Sequence, residues 1–156
     1  MVDSAWLRCR TQESKKQKHT ADKTLMYLLD TNICFYIIRK RPEAVYRRLS
    51  RAAAGDVALS VVTAFELEIG ALRAQGRQYS EAIRLFLGEF EVLPLEDAAR
   101  ASYGQLRTNL ERRGEKIGAH DMLIAAHALA LNATLVTNNE KEFKRITGLK
   151  IENWAS

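Results

Sequence analysis

The sequence predicts an α/β fold in which helices cover a parallel sheet. Short apolar runs typical of buried strands alternate with longer segments whose apolar residues recur at helical spacing. The 156 residues are 47% hydrophobic, which is enough to bury one sizeable core but hardly two. No repeat or low-complexity stretch interrupts residues 26–156. Because strands that alternate with helices normally pair in parallel, we expect one helix-covered parallel sheet.

The first half of the chain is predicted to contain two strand–helix units. Asp30-Thr31-Asn32 follows an apolar run and supplies the N-cap chemistry of a helix. Arg41-Pro42-Glu43 ends this helix and starts the next, because proline suits the first turn of a helix and not its interior. The elements predicted here are a strand at 25–29, a helix through Ile38, a helix from Glu43 that Gly55 ends, a strand at 56–62, and a helix capped by Thr63 whose apolar side carries Phe65, Leu67, Ile69 and Leu72.

The second half continues the alternation of helices and strands. Pro94 suits the end of a strand rather than its centre. The helix after Gly118 is apolar nearly all round, so we expect it to lie in the core. The elements predicted here are a helix at 79–91, a strand at 91–95, a helix from Asp97 to Arg113, the core helix around 122–129, a strand at 134–136, a helix at 140–146 and a terminal edge strand at 150–152.

Residues 1–25 differ from the rest of the chain in being polar, basic and without hydrophobic period. They hold 6 of the 24 Lys and Arg residues and 3 of the 19 Asp and Glu residues. The net charge is therefore +3 in this segment and +2 in the remainder. We expect residues 1–25 to be disordered or a non-native extension, with Met26 as the biological start and 26–156 as the folded domain.

Cysteine usage and hydropathy exclude several classes of protein. Cys9 and Cys34 form neither a disulfide framework nor a zinc-binding spacing. No apolar stretch approaches the roughly 18 residues of a membrane span, and the N-terminus lacks the apolar segment of a signal peptide. We therefore expect a cytoplasmic protein with no membrane contact.

Acidic or amide side chains stand at four places where an apolar strand or helix would hold them. Asp30 directly follows the first strand, at the edge of the sheet where open α/β domains bind ligands. Glu66 lies one turn inside a helix, Asp121 opens the apolar core helix, and Asn139 follows the strand at 134–136. Carboxylates that converge repel each other unless a cation lies between them, and Mg²⁺ prefers such oxygen ligands. The pattern predicts a divalent-metal site that cuts phosphodiester bonds.

Each candidate also has an ordinary structural interpretation. Asp30 could only cap its helix, Glu66 could face solvent, and Asn139 could only form a turn. His120 and His127 stand seven residues apart on one helix, so they share a face. This pair would be typical of acid–base ribonuclease chemistry instead of metal-dependent hydrolysis.

Basic side chains are clumped although residues 26–156 are only mildly basic. Such clumps could contact phosphates, while their ordinary role is to form solvated helix faces and helix C-termini. The candidate RNA-binding residues are Arg39, Lys40, Arg47, Arg112 and Lys116.

Four motifs occur in order with suitable spacing: Leu29-Asp30-Thr31-Asn32, Glu66-Leu67 with Gly70, Asp121 to Ala126, and Thr137-Asn138-Asn139 with Phe143. Their ordered set, over about residues 26–154, resembles the PIN-domain family and, within it, the VapC-type toxins. The resemblance implies a single three-layer α/β/α domain with a central parallel sheet of four to five strands. It also implies a Mg²⁺- or Mn²⁺-dependent endoribonuclease, usually a homodimer or part of a toxin–antitoxin hetero-oligomer, that a cognate antitoxin restrains.

Carried over to this chain, the resemblance implies that Asp30, Glu66 and Asp121 are the three core acids of the catalytic site. We expect Asp30 and Asp121 to bind the metal directly and Glu66 to act mainly through a bound water. The family commonly has aspartate at the fourth position, where this chain has Asn139, so a second metal would meet one negative charge fewer.

The substrate that the resemblance implies is structured RNA, with transfer RNA near the anticodon as the candidate target. The alternative is a catalytically weak or inactive PIN-like module that binds RNA or antitoxin. A receiver-type signalling domain is not favoured, because such domains carry a pair of acids after the first strand and Asp30 has no acidic neighbour.

Overall fold

The computed structural model describes residues 26–53 and 55–156, and its strands form one five-stranded sheet. The strand order is β3-β2-β1-β4-β5, and every neighbouring pair is parallel. The predicted sheet and its terminal edge strand are thus confirmed, whereas the predictions for residues 1–25 lie outside the described residues. The elements are β1 (Tyr27–Leu29), α1 (Thr31–Arg39), α2 (Glu43–Arg51), β2 (Val57–Ser60), α3 (Val61–Arg73), α4 (Arg77–Gly88), β3 (Glu91–Leu93), α5 (Asp97–Arg112), α6 (Ala119–Ala130), β4 (Thr134–Val136), α7 (Glu140–Phe143) and β5 (Lys150–Glu152).

Helices cover both faces of this sheet, which gives the predicted three layers. Successive strand residues point to opposite faces, so Leu28 and Leu135 join one hydrophobic core while Leu29 and Val136 join the other. Helices α5 and α6 pack against the first face, and α1, α2 and α4 pack against the second. The central strands are therefore apolar on both sides, as expected of a parallel sheet.

The carboxyl ends of the central strands lie side by side at one edge of the sheet. Leu29 is paired with Leu59 on one side and with Val136 on the other. The next residues therefore emerge together, and the backbone N–H of Asp30 donates to the carbonyl of Val136 at 2.9 Å. This edge is where the sequence places its first candidate acid.

The transition from β2 to α3 differs from the prediction of a strand to Val62 and a cap at Thr63. The strand ends at Ser60 and the helix begins at the next residue. The Ser60 hydroxyl caps it by accepting the backbone N–H of Val62 at 3.2 Å. Thr63 lies inside the helix, where its hydroxyl donates to the carbonyl of Leu29 at 3.3 Å. A capping serine thus removes the need for any loop between the two elements.

The apolar side predicted for α3 is wrong for three of its four residues. Leu67 is buried, but Phe65, Ile69 and Leu72 are 64%, 42% and 71% exposed. Apolar residues occur on two sides of α3, so the sequence pattern has no single inward direction. The residues that α3 buries are Val62, Thr63, Leu67 and Ala71.

Helix α3 approaches α1 closely at Gly70. A Cβ atom added to this glycine would lie 2.8 Å from Cζ of Phe35. At Gly70, one of the motif residues, the constraint is therefore the space occupied by Phe35 and not a special backbone conformation.

The remaining elements follow the prediction closely. Helix α6 lies in the core as expected, with Ile124 and Ala125 fully buried. Other boundaries shift by no more than three residues; for instance, α4 is Arg77–Gly88 and α7 ends at Phe143. None of the helices in the described ranges is long and apolar enough to cross a membrane.

Candidate functional site

Asp30 stands at the end of β1 with its carboxylate buried and fully oriented. Its Oδ1 accepts the backbone N–H of Thr31 at 2.8 Å, and its Oδ2 accepts the hydroxyl of Thr137 at 2.8 Å. Burial raises the pKa of Asp30, these two hydrogen bonds oppose the rise, and the charge of Glu66 adds to it. The residue does cap α1, as the ordinary interpretation proposed, but it also presents a carboxylate at the sheet edge.

Glu66 reaches back toward the start of α1 instead of facing open solvent. The hydroxyl of Thr31 donates a short hydrogen bond to its Oε2. On its other side, Oε1 lies 2.9 Å from Nδ1 of His120. The side chain is only 26% exposed. Contacts 35 and 54 residues distant in sequence thus bring Glu66 to the same edge as Asp30.

Asp121 lies in the first turn of α6, half-buried among other acids. Its pKa is raised to about 6, first by burial and then by the negative charges of Asp30, Glu142 and Glu66, while His120 opposes the rise. The three acids predicted from the sequence therefore interact electrostatically at one place. A cation beside such a carboxyl would stabilise its ionised form.

Glu142 is not among the residues predicted from the sequence, yet its charge raises the pKa of Asp121. It is half-buried on α7, next to the fully buried Phe143. The available signal was its spacing, because a residue three positions after Asn139 returns to the same side of a helix. Glu142 therefore adds a fourth negative charge near the position where the chain has an amide.

Asn139 belongs to this edge through its backbone. Its N–H donates to the hydroxyl oxygen of Thr137 at 3.0 Å, and Thr137 in turn donates to Asp30. Asn139 stands at the N-cap position of α7, where no side-chain hydrogen bond caps the helix. The neighbouring Asn138 donates to the hydroxyl of Tyr36 at 2.7 Å. The role of the Asn139 side chain as a ligand stays a prediction, and Thr137 is a second site residue that sequence reasoning missed.

The two histidines of α6 do not face a common pocket. His120 is exposed, whereas His127 is 2% exposed with Nδ1 lying 2.9 Å from the hydroxyl oxygen of Ser60. Burial lowers the pKa of His127, against smaller raising effects from Glu96 and from a hydrogen bond to the backbone of Pro94. His127 is thus a core residue that joins α6 to the ends of β2 and β3, and a catalytic histidine pair is not favoured.

The acids Asp30, Glu66, Asp121 and Glu142, together called the acidic edge, fit a hard cation that is held by few protein ligands. Within residues 26–53 and 55–156, no group of three or more His, Cys, Asp or Glu side chains is arranged so that it could hold a metal ion as it stands. Mg²⁺ typically takes one or two carboxylates and keeps several waters. Asp30 and Asp121 are two such carboxylates, and burial together with neighbouring acids opposes their charge. This donor set is typical of a Mg²⁺ or Mn²⁺ site in which waters complete the coordination. It is not typical of a site built from protein ligands alone.

The basic candidates Arg39 and Lys40 lie at the opposite end of α1 from Asp30. Arg39 is eight residues past Thr31, about 12 Å along the helix axis. Its Nε donates to the hydroxyl of Tyr79 at 3.0 Å, and its guanidinium lies 5.6 Å from the ring centre of Phe35. The neighbouring Lys40 is exposed and ends the helix in a left-handed conformation. These contacts hold Arg39 on the protein surface.

The other basic candidates are also exposed. Arg47 forms an ion pair with Glu43 at 3.0 Å on the surface of α2. Arg112 ends α5, and Lys116 lies in the connection that leads into α6, five residues before Asp121. Of the five candidates, Arg112 and Lys116 are the ones whose chain position leads directly into the acidic edge. Binding of RNA by any of them stays a prediction.

Comparison with known proteins agrees with this geometry. The PIN domain family matches residues 27–149, a range that holds all four acids and the whole sheet except its last strand. The chain belongs to the PIN-domain family. This PIN domain is 43% identical to ribonuclease VapC2 of Rickettsia felis over 132 residues, which are 83% of this chain and 98% of the relative. It is 38% identical to the tRNA(fMet)-specific endonuclease VapC of Shigella flexneri over 132 residues, which are 84% of this chain and 99% of the relative.

Solved structures show the same PIN fold. The Rickettsia felis VapBC2 structure, bound to a promoter DNA fragment, matches with a TM-score of 0.76 and 42% identity, over 83% of this chain and 99% of that one. VapBC-1 of nontypeable Haemophilus influenzae matches with a TM-score of 0.76 and 37% identity, over 85% of this chain and 100% of that one. The predicted α/β PIN fold and the resemblance to VapC-type proteins are confirmed.

Proposed function

We propose that this PIN domain is a divalent-metal-dependent endoribonuclease, the toxin of a toxin–antitoxin pair. The observation that carries the proposal is the buried, doubly hydrogen-bonded Asp30 at the end of the central strand, with Asp121 close enough for the charge of Asp30 to contribute to its raised pKa. Relatives about 40% identical over nearly their whole length are named ribonucleases, which supports the same chemistry here.

In this proposal the acids have two different roles. Asp30 and Asp121 hold Mg²⁺ or Mn²⁺, while Glu66 orients water at the same edge. When bound there, the cation supplies a water of lowered pKa and neutralises charge on the scissile phosphate. Thr31 and Thr137 keep Asp30 in place through their hydrogen bonds. Hydrolysis by water does not use the RNA 2′-OH as nucleophile, so the products carry 5′-phosphate and 3′-hydroxyl ends.

The proposed substrate is structured RNA, with a transfer RNA near the anticodon as the first target to test. The name of the Shigella flexneri relative, a tRNA(fMet)-specific endonuclease, supports this choice. Folded RNA is recognised largely through its shape and phosphates, and the exposed Arg112 and Lys116 precede the acidic edge in the chain. Their guanidinium and ammonium groups would position the backbone without reading sequence.

The proposed protein partner is a cognate antitoxin. The matching structures from Rickettsia felis and Haemophilus influenzae are VapBC assemblies. We expect this chain to form a comparable hetero-oligomer, with a homodimer of the toxin as its core. Co-expression with the candidate antitoxin, followed by light scattering on the purified complex, measures the assembly. A toxin that is recovered only as a free monomer would contradict this part of the proposal.

The decisive experiment is RNA cleavage by the purified protein, freed of antitoxin, with Mg²⁺, Mn²⁺ or EDTA. Sequencing RNA 5′ ends identifies the target, and end analysis identifies the chemistry. We expect cleavage with either metal, none with EDTA, and none by Asp121→Asn. Products with 2′,3′-cyclic phosphate would instead indicate histidine chemistry. Binding of RNA or antitoxin without cleavage would favour the inactive-module alternative, in which Asn139 disables turnover.

A further inference from the structure

His120 contacts the acidic edge in a way that the proposed function has not used. It is the second residue of α6, immediately before Asp121, and its side chain is 59% exposed. Its Nδ1 nevertheless lies 2.9 Å from Oε1 of Glu66 on α3. An exposed histidine is free to turn into water. The contact with Glu66, which is 54 residues away in sequence, therefore indicates a specific role for this orientation of the ring.

The contact completes a pair of hydrogen bonds to one carboxylate. Oε2 of Glu66 accepts the hydroxyl of Thr31 on α1, and Oε1 is held by His120 on α6. Thr31 is the first residue of α1, which Asp30 caps, and His120 precedes Asp121 on α6. The two donors therefore come from the helices that Asp30 and Asp121 begin. A free glutamate side chain explores many rotamers. Donors on both oxygens restrict Glu66 to one orientation, in which its charge acts on Asp30 and Asp121.

We infer that His120 is a positioning residue, whose Nδ1–H orients Glu66 toward the Asp30 and Asp121 carboxylates and so strengthens cation binding there. This inference rests on the proposed function of the acidic edge. An ionised carboxylate only accepts hydrogen bonds, so the ring must carry its hydrogen on Nδ1 when the imidazole is neutral. His120 acts through Glu66 and not on the RNA.

Three variants separate this role from a general one. In His120→Asn the amide nitrogen is bonded to Cγ, as Nδ1 is, so it can occupy the donor position. In His120→Gln the amide lies one bond further out, and His120→Ala has no donor. Hydrogen-bonding partners of metal ligands commonly change metal affinity 10- to 100-fold when they are removed, and because Glu66 acts through a water the lower end of that range applies here. We expect Mn²⁺ affinity, measured by calorimetry without RNA, to fall about tenfold in His120→Ala and His120→Gln and to stay near wild type in His120→Asn.

A double-mutant comparison and a spectrum give readouts that do not require catalysis. Adding His120→Ala to Glu66→Ala should cause a much smaller loss of Mn²⁺ affinity than His120→Ala causes in the wild type, because the group that His120 positions is already absent and only the direct effect of His120 on Asp121 is left. In the metal-free wild type, ¹⁵N spectra should show the Nδ1–H tautomer of neutral His120. In Glu66→Ala the ring should return toward the tautomer mixture of a free imidazole.

The outcomes distinguish this inference from the proposed function. If wild type binds Mn²⁺ and cuts RNA while His120→Ala binds Mn²⁺ equally well, the inference is overturned and the proposed function stands. Equal losses in the Ala and Asn variants, or an Nε2–H tautomer in the wild type, also overturn it. If the wild type binds no Mn²⁺ at all, both the proposed function and the inference fail.

Discussion

At the scale of single residues, Asp121 is the carboxyl, among the residues that the structure describes, whose surroundings most disfavour ionisation. Its pKa in the folded chain is about 6, against an ordinary value of 3.8, so the folded state binds more protons than the unfolded state between these values. Without a cation, ionised Asp121 therefore destabilises the fold above about pH 6. This penalty fades as the pH falls through 6 and is absent below about 3.8.

We expect Asp121→Asn to abolish RNA cleavage while stabilising the metal-free protein at pH 7.5. A shift of about two pKa units corresponds to at most ~3 kcal/mol, and contact with water reduces the effect. Thermal unfolding in EDTA at pH 7.5 and at pH 4 measures it, since the gain should disappear at the lower pH. Asp97→Asn, at an exposed position paired with Arg100, is the control that should show no comparable gain. A less stable Asp121→Asn protein at pH 7.5 would contradict this assignment.

Asn139 and Glu142 lead to opposite expectations for metal binding. Asn139→Asp adds a negative charge at the sheet edge, so calorimetry should show tighter Mn²⁺ binding. Glu142→Gln removes a charge that acts on Asp121, so the same measurement should show weaker binding. If Asn139→Asp leaves the affinity unchanged, Asn139 is only the residue that turns the chain into α7.

At the scale of elements, the position of the acids depends on how closely helices pack. Glu66 reaches Thr31 because α3 lies against α1, and Gly70 permits that approach next to Phe35. On the other face, His127 joins α6 to the end of β2 through Ser60, which also caps α3. Both contacts lie within a few residues of the acids, so helix packing determines the site.

Gly70→Ala should destabilise the protein although alanine favours helix. The added Cβ would meet Phe35 at 2.8 Å, and overpacking of this kind costs about 1–3 kcal/mol against about 1 kcal/mol of helix propensity. Gly104→Ala is the matched control, since nothing lies within 4 Å of its Cβ on the exposed side of α5. Urea unfolding should show a loss for the first variant and a gain for the second. A gain in both would mean that Phe35 moves away without cost.

The buried His127 should make stability fall in mild acid. Its folded pKa lies below the ordinary 6.5, so the unfolded chain takes up a proton first as the pH falls below about 6.5. Above that pH both states are neutral at this residue and it contributes no pH dependence. Urea unfolding at pH 7.5 and 5.5 should show a smaller loss for His127→Asn than for wild type. Equal losses would assign the acid sensitivity to other groups.

At the scale of the whole molecule, the sheet gathers side chains from four segments at one edge. Asp30 follows β1, Glu66 lies on α3, Asp121 opens α6, and Thr137 and Glu142 flank the start of α7. These segments span more than a hundred residues, so the site exists only in the folded chain. A ligand that binds there should therefore stabilise the entire fold.

We expect Mn²⁺ to raise the unfolding midpoint of wild type but not of Asp30→Asn. A ligand at 100 times its Kd stabilises the folded state by about 2.7 kcal/mol, provided that it does not bind the unfolded chain. A titration of Mn²⁺ followed by thermal unfolding measures the shift, and Asp97→Asn serves as the variant that should respond like wild type. Equal shifts in wild type and Asp30→Asn would place the metal elsewhere on the protein.

The sequence by itself determined the order of strands and helices, the core position of α6, and the placement of Asp30 and Asp121 at the ends of apolar elements. These features follow from local periodicity and capping, which depend on neighbours in the chain. Only the tertiary structure decided that Glu66 turns toward Thr31 and His120, that Glu142 acts on Asp121, and that Phe65 stays exposed. Such contacts depend on how each helix is rotated against its neighbours, and a helix that is apolar on two sides leaves that rotation to packing.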